Sequence, residues 1–321
     1  MRIGVDILGG DFWPEAPVEG AVLALDKFGP DIELVLIGDE NLIRQELAKH
    51  GADPSRFSIV NCTEMVGMEE SPTKGIASKP NSTINVGIGM VKTGQLDGFV
   101  SAGNTGAMLV ASIMGLGRIP GVNRPTIGAL FPNHNGEPIL LLDVGANVDS
   151  KPEHILHYAR LGSIYMESVR KVEKPRVGLM NVGEEESKGP ADVKAAHALL
   201  KESGRLNFVG NVEGRDIYHG KADVYVCDGY TGNIILKFGE SMYDVLKSRY
   251  AGDAFIEAFN FENYGGVPIL GIRGISIIGH GISNGKAIAS MIGSAVEAVR
   301  NGLVQKIEAA FQTDAQTADT K

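Results

Sequence analysis

Several ingredients are scarce in this 321-residue chain, and each scarcity rules against a class of protein. There are only two cysteines, Cys62 and Cys227, far apart in segments that read as buried strand ends. That argues against a disulfide scaffold and fits a reducing compartment. No run of Lys and Arg occurs and the formal charge is -9, so nucleic acid is not an expected partner, because phosphate backbones need clustered cations. No apolar stretch approaches the roughly 20 residues of a membrane span, and Met1 to Asp6 enters a strand with no signal-peptide core. The expected location is therefore cytoplasmic, with any membrane contact peripheral, on the inner face. In that setting the triplets Asn61-Cys-Thr and Asn81-Ser-Thr carry no glycosylation meaning. Aromatics are also sparse, at 6% with a single tryptophan.

Glycine is plentiful, at 42 residues. Short β-branched runs are expected as strands at Arg2–Asp6, Glu33–Ile37, Phe57–Asn61, Gly98–Ser101, Thr126–Phe131, Pro138–Asp143, Arg176–Asn181, Asn207–Val209 and Asp223–Cys227. They alternate with helical patterns. Repeated β-then-α units of this kind predict an α/β fold with a largely parallel sheet covered by helices. Ligands in such folds bind beyond the carboxyl ends of the strands, so the turns there are where function is sought.

The most informative turn is Ser101-Ala-Gly-Asn-Thr-Gly106, which joins an apolar strand to the apolar helix from Ala107 to Leu116. Glycines permit close backbone approach, and a new helix offers free N–H groups and a dipole that favour an anion. The plainer reading is that Asn104 or Thr105 caps the helix. Four further glycine-bearing polar turns follow other strands: Asp6 to Asp11, Asp143 to Asp149, Asn181 to Gly189 and Cys227 to Asn233. Five such termini on one sheet edge suggest one shared cleft. The turns offer Asp6, Gly9, Gly10, Asp11, Ser101, Gly103, Asn104, Thr105, Gly106, Asp143, Asn147, Gly183, Glu184, Asp228, Thr231 and Gly232 as candidate phosphate- or substrate-binding residues, with His280 on the strand-end turn Gly279-His-Gly281.

Familiar chemistries fail on detail. The stretch Gly183-Glu-Glu-Glu-Ser-Lys188 has serine where a nucleotide P-loop has glycine, and Gly9-Gly10 lacks the third glycine of a dinucleotide fingerprint. There is no Cys-x-x-Cys and no His-x-x-x-His. No metal and no cofactor is expected, although Asp6, Asp11, Asp143, Asp149 and Asp228 leave magnesium open against a turn-capping role. Cys227 beside Asp228 reads as a packed residue, not a nucleophile. What remains is anion-binding turns, a lysine and amides, which suit a reaction whose nucleophile arrives with the substrate, such as phosphate attacking an activated acyl group.

Residues 238 to 263 are more apolar: Phe238, Met242, Leu246 and Tyr250 at helical spacing, then Phe255, Ile256, Phe259 and Phe261. They make either a packed core or dimer interface, or an exposed arm for a membrane or acyl chain. One long helix is expected from Ser283 to about Phe311, and Gln312 to Lys321 reads as a disordered tail. The chain is treated as one unit over 1–311, with two lobes around the cleft as a variant. A boundary near residue 150 is set aside because the five turns straddle it.

The motifs Asp6-Ile-Leu-Gly-Gly-Asp11, Val100-Ser-Ala-Gly-Asn-Thr-Gly-Ala107, Leu142-Asp-Val-Gly-Ala-Asn-Val-Asp149, Asn181-Val-Gly-Glu-Glu-Glu-Ser-Lys-Gly189, Cys227-Asp-Gly-Tyr-Thr-Gly-Asn233 and Tyr264-Gly-Gly266 with Gly279-His-Gly281 together resemble the bacterial phosphate acyltransferases of the PlsX family. The resemblance implies a three-layer α/β/α fold like isopropylmalate dehydrogenase and a homodimer. It also implies transfer of a fatty acyl group from acyl carrier protein (ACP) to inorganic phosphate, giving acyl phosphate for phosphatidic acid synthesis. The membrane surface and the downstream acyl-phosphate:glycerol-3-phosphate acyltransferase are further implied partners. Lys188 and Asn233 match the positions held to be catalytic. Two departures stand out: the segment between Asn233 and Tyr264 is shorter than a two-helix membrane arm, and Ile282-Ser283 follow Gly281 where the family often has two serines. Because ACP is acidic, a basic patch is expected, with Lys237, Lys247, Arg249 and Arg273 as candidates on one surface. A decarboxylating dehydrogenase, an acyl-CoA-dependent transacylase and a non-catalytic ACP scaffold are the rival readings.

Overall fold

The computed structural model describes residues 1–250, 252–260, 263, 264 and 266–318. The chain forms two compact units, one from Met1–Arg118 with Phe261–Val304, the other from Ile119–Asn260 with Gln305–Lys321. The divisions fall near residues 118, 260 and 304, not near 150.

The first unit opens with β1 (Arg2–Asp6), α1 (Glu15–Phe28), β2 (Glu33–Gly38), α2 (Glu40–Lys49), β3 (Ser58–Asn61), α3 (Pro72–Ser78), α4 (Thr83–Lys92), β4 (Gly98–Ser101) and α5 (Thr105–Leu116). The second unit contributes β5 (Thr126–Pro132), β6 (Pro138–Leu142), α6 (Pro152–Ser168), β7 (Arg176–Met180), α7 (Ala191–Glu202), β8 (Asn207–Val212), α8 (Asp216–His219), β9 (Val224–Val226), α9 (Gly229–Lys247) and α10 (Ala254–Glu257). The chain then adds β10 (Val267–Leu270), β11 (Ile275–Ile278) and α11 (Gly285–Arg300) to the first unit, and ends in α12 (Leu303–Ala318).

In the first unit the strands run β3-β2-β1-β4-β11-β10. All neighbours there are parallel except β10 and β11. Strands β1, β2, β4 and β11 are buried almost throughout, as unbroken Val/Ile/Leu runs covered on both faces should be. Helix α1 packs on α2 and α11, while α5 packs on α3 and α4, so two helix layers enclose the sheet. The α1–α11 contact is close because Gly20 lies against Ile288. In the second unit the order is β5-β6-β9-β7-β8, antiparallel only between β5 and β6. Gly162 of α6 rests on Leu140 and Leu142, whereas Gly239 of α9 rests on Phe131, which pairs with Ile139. Residues 139 and 140 point to opposite faces of a strand, so α6 and α9 cover opposite faces of this sheet.

The expected strands are present to within a few residues. Pro14 is the N-cap residue of the first helix and Pro17 sits in its first turn, where a missing N–H costs nothing. The expectations for the C-terminus need correction. The long C-terminal helix is interrupted at Asn301-Gly302, because Gly302 adopts φ +62° and ends α11. Helix α12 then runs on to Ala318, through most of the expected tail, with no Gly or Pro after Gly302 to stop it; residues 319–321 lie outside the described residues. The apolar stretch 238–263 divides. Tyr243 and Ile256 are buried and Phe259 stacks edge-on to Tyr218 at 5.2 Å, but Phe238, Met242 and Tyr250 face solvent. Phe261 and the Phe255 side chain lie outside the described residues. Among the described residues no helix is long and apolar enough to cross a membrane.

Candidate active site

Parallel pairing brings the functional turns together within each unit. In the first, Val5 pairs with Val100 and Ile278 with Ser101, so the turns after β1, β4 and β11 share one edge. Asp6 is buried there. Ser101 Oγ donates to Asp6 Oδ2 at 2.7 Å, Leu8 N donates to Oδ1 at 3.1 Å, and Gly103 N donates to Ser101 Oγ at 3.0 Å. Gly9 must be glycine, because a Cβ would lie 2.7 Å from Asp6 Oδ2 and 2.9 Å from Gly103 N. Gly10, at φ +96°, turns the chain so that Asp11 N reaches the Gly281 carbonyl at 2.7 Å.

Asn104 is the cap of α5. Its Oδ1 accepts from Ala107 N at 3.0 Å, and its Nδ2 donates to the carbonyls of Gly67, Met68 and Glu70 at 3.0–3.1 Å. The capping reading of this residue is therefore correct, and its amide is occupied. Thr105, exposed, and Gly106 contribute the first two amides of the helix, and among the described residues no side chain accepts from either. His280 is half-buried; its Nδ1 accepts from Ile282 N at 3.4 Å and its carbonyl accepts from Ser283 Oγ at 2.6 Å.

In the second unit the turns after β6, β9 and β7 are adjacent. Asp143 is fully buried and takes five donors. Oδ1 accepts from Ile127 N, Gly145 N and Ala146 N; Oδ2 accepts from Asn147 N at 2.7 Å and Asn147 Nδ2 at 2.8 Å. Asp143 and Asn147 thus build the turn and have little left for a ligand. Asp228 caps α9, holding Thr231 N at 2.8 Å and Thr231 Oγ1 at 2.7 Å. The helix consequently starts at Gly229, and Asn233 lies inside it. Gly229 and Gly232 let α9 sit directly on the Asp143–Asn147 turn, with Gly229 N donating to Asn147 O at 2.8 Å. Asn233 is half-buried, with Nδ2 donating to Val144 O at 3.1 Å.

Lys188 is exposed in the loop before α7. The nearby carboxylates do not pair with it: Glu184 binds Lys221 at 2.9 Å and Glu186 binds Lys201 at 2.6 Å. Among the described residues its Nζ has no hydrogen bond or ion pair, so Lys188 forms no salt bridge with Glu184 or Glu185. Gly183 packs on the lysine stem, 3.0 Å from Cγ to a Cβ built there. Two asparagines that sequence reasoning left out of the site hold this loop. Asn181 Nδ2 donates to Lys188 O at 3.1 Å, and the buried Asn211 Nδ2 donates to Glu185 O at 2.9 Å. Asn181 follows a strand and could have been flagged for that reason; Asn211, inside β8, carries no such signal.

Of the expected basic residues, Lys237 and Lys247 lie on α9 and Arg249 just beyond it, while Arg273 belongs to the first unit. Lys237 pairs with Glu240 at 2.8 Å and Lys247 lies over the Tyr243 ring. Burial pushes the Cys227 thiol well above its ordinary value, with Asp228 and Asp143 adding to the shift, as a packed and unreactive cysteine requires.

Burial also raises the carboxyls of Asp6 and Asp143 above the ordinary 3.8, against the opposing effect of their donors. Such a group binds more protons folded than unfolded, so its contribution to stability is complete below 3.8 and is lost as pH rises through the raised folded value. Asp6→Asn removes that loss while Ser101 turns to accept. Urea midpoints followed upward from pH 4 should therefore fall for the wild type relative to Asp6→Asn; parallel curves would refute it.

A model of the family described as a fatty acid synthesis protein matches residues 1–306. The chain is also 43% identical to the phosphate acyltransferase of Salinibacter ruber, over 97% of this chain and 98% of that protein. The chain belongs to the PlsX family of phosphate acyltransferases. The Halothermothrix orenii phosphate acyltransferase is 42% identical over 98% of this chain and all of its own length. A phosphotransacetylase structure from Streptococcus pyogenes superposes with a TM-score of 0.64 at 17% identity, covering 96% of this chain and 94% of that one. A 4-hydroxythreonine-4-phosphate dehydrogenase from Burkholderia phymatum reaches 0.50 at 16%, covering 96% and 97%. Likeness at those identities speaks for the fold alone, and it agrees with the α/β architecture expected of PlsX. The chain is thus an acyltransferase of fatty acid and phospholipid synthesis.

Proposed function

We propose that the protein transfers a fatty acyl group from acyl-ACP to inorganic phosphate, giving acyl phosphate and free ACP. A phosphate oxygen attacks the thioester carbonyl, the tetrahedral intermediate collapses with loss of the phosphopantetheine thiolate, and the C–S bond is exchanged for a C–O–P anhydride. Phosphate is anionic at neutral pH and needs no strong base, so the protein's part is positioning and charge stabilisation. The observation that carries this reading is the state of Lys188: an exposed lysine with no ion pair among the described residues, flanked by Glu184 and Glu186 that pair with other lysines, on a loop held by Asn181 and Asn211. Lys188 is assigned to the phosphate or the intermediate's charge. The second N–H of the Asn233 amide, beyond the one given to Val144 O, is assigned to the carbonyl oxygen. The amides of Thr105 and Gly106 and the turns at Gly9 to Asp11 and His280 are assigned to the phosphate-bearing parts of the substrates.

The test is to incubate the protein with acyl-ACP and phosphate and trap acyl phosphate with hydroxylamine, in parallel with acyl-CoA. Asn233→Ala should lower the trapped product about 100-fold or more, and near-normal yield would remove Asn233 from the mechanism. Absence of product from the wild type with ACP but not with CoA would transfer the reading to the CoA-dependent rival.

The homodimer and the membrane surface are proposals supported by one further observation. Tyr230, Ile234, Phe238, Met242 and Val245 make an exposed apolar stripe along α9, on a helix that also carries Lys237 and Lys247. A self-complementary partner covers such a stripe best. Sedimentation of the full chain should give a dimer that Phe238→Asp dissociates; retained dimerisation with lost vesicle binding would assign the stripe to the membrane.

A further inference from the structure

We propose that an exposed apolar rim on the first unit, formed by Phe12, Trp13, Met68 and Ile282, binds the fatty acyl chain of the donor. This rests on the acyltransferase reading above and adds the surface that meets the chain. These side chains are 53%, 38%, 40% and 48% exposed, although they come from three different loops. The loops are tied together. Asp11 N donates to Gly281 O, which joins the two backbones at the residues directly before Phe12 and Ile282. Met68 Cε lies 2.9 Å from a Cβ built on Gly281, and the Met68 carbonyl is held by Asn104 Nδ2 at 3.1 Å.

Exposed Asp11 directly precedes Phe12, and half-buried His280 and Gly281 precede Ile282, so apolar and polar groups meet as an amphiphilic substrate requires. Its size selects among occupants. Four half-exposed side chains offer on the order of 400 Å², about half of the roughly 800 Å² per partner that a stable protein interface covers. That area suits a single hydrocarbon chain. A methionine among the four can repack around chains of different length.

Trp13 is the only tryptophan in the protein, so its fluorescence reports on the rim directly. Full-length protein titrated with dodecanoate below its micelle concentration should give a saturable blue shift that acetate at the same concentration does not. Phe12→Asp and Met68→Asp keep the reporter and should weaken dodecanoate binding at least tenfold, with Phe12→Leu restoring it. In the trapping assay Phe12→Asp should reduce the ratio of kcat/KM for dodecanoyl over butyryl donors at least tenfold. No saturable response from a wild type that still forms acyl phosphate overturns the rim and leaves the reaction standing. A dodecanoate response without acyl phosphate does the reverse. If Phe12→Asp instead lowers the sedimentation coefficient with dodecanoate binding intact, a second copy covers the rim and the proposal is wrong.

Discussion

Lys188→Ala lowers the rate of acyl phosphate formation about 100- to 1000-fold, the usual consequence of removing one group that stabilises charge in a transition state, while stability changes by no more than about 0.5 kcal/mol. The two halves of this expectation have separate grounds. The side chain is exposed, and among the described residues its ammonium has no internal partner, so folding gains nothing from it that alanine would lose. Glu184 and Glu186 pair with Lys221 and Lys201, so neither holds the lysine in the fold. Urea titration alongside the trapping assay separates the two effects. A variant that loses stability and activity together would make Lys188 a structural residue, and one that keeps its rate would remove the lysine from the chemistry.

Gly232→Ala destabilises the protein by about 3 kcal/mol and lowers turnover about 100-fold, because an ångström of displacement at a reacting group is enough for that. Helix propensity alone predicts the opposite sign, since alanine is better than glycine inside a helix by about 1 kcal/mol. Packing decides. A Cβ on Gly232 would strike the Asp143 carbonyl and lie 3.1 Å from Cys227 Sγ, so α9 would have to lift off the Asp143–Asn147 turn and take Asn233 with it. Gly89 supplies the control: it lies inside α4 with nothing within 4 Å of a built Cβ, and Gly89→Ala should raise stability by about 0.5–1 kcal/mol. Thermal or urea midpoints of the two variants should move in opposite directions; a stabilised Gly232→Ala would show that the contact yields.

The parallel strands were legible because both faces of each are covered, which writes them as unbroken β-branched runs ended by glycine. Strands β10 and β11 were less so. Each is only four residues long, β10 contains Pro268, and a short apolar run does not distinguish strand from buried helix. The start of α9 is hidden in the sequence for a related reason. Asp228-Gly-Tyr-Thr-Gly reads as loop by propensity, yet the Asp228 cap and the support of Asn147 O hold it helical. The positions of the candidate site residues were visible as polar turns at strand ends, but their roles were not. A sequence does not reveal that Asn104 spends its amide on three carbonyls or that Asp143 is saturated by five donors, because those partners lie up to 37 residues away along the chain.

By itself the sequence determined the alternation of strand and helix, the turns where ligands could bind and, through six co-occurring motifs, the family. These depend on local periodicity and on short glycine-bearing patterns, which survive without knowledge of distant contacts. The tertiary structure decided which polar groups are used up inside the fold and which stay exposed. It separated Lys188, exposed and without an ion pair among the described residues, from Asp6, Asp143 and Asn104, which are consumed in holding the turns. That division depends on burial and on partners from other strands, and a buried polar group must be satisfied by whichever partner the fold brings within reach.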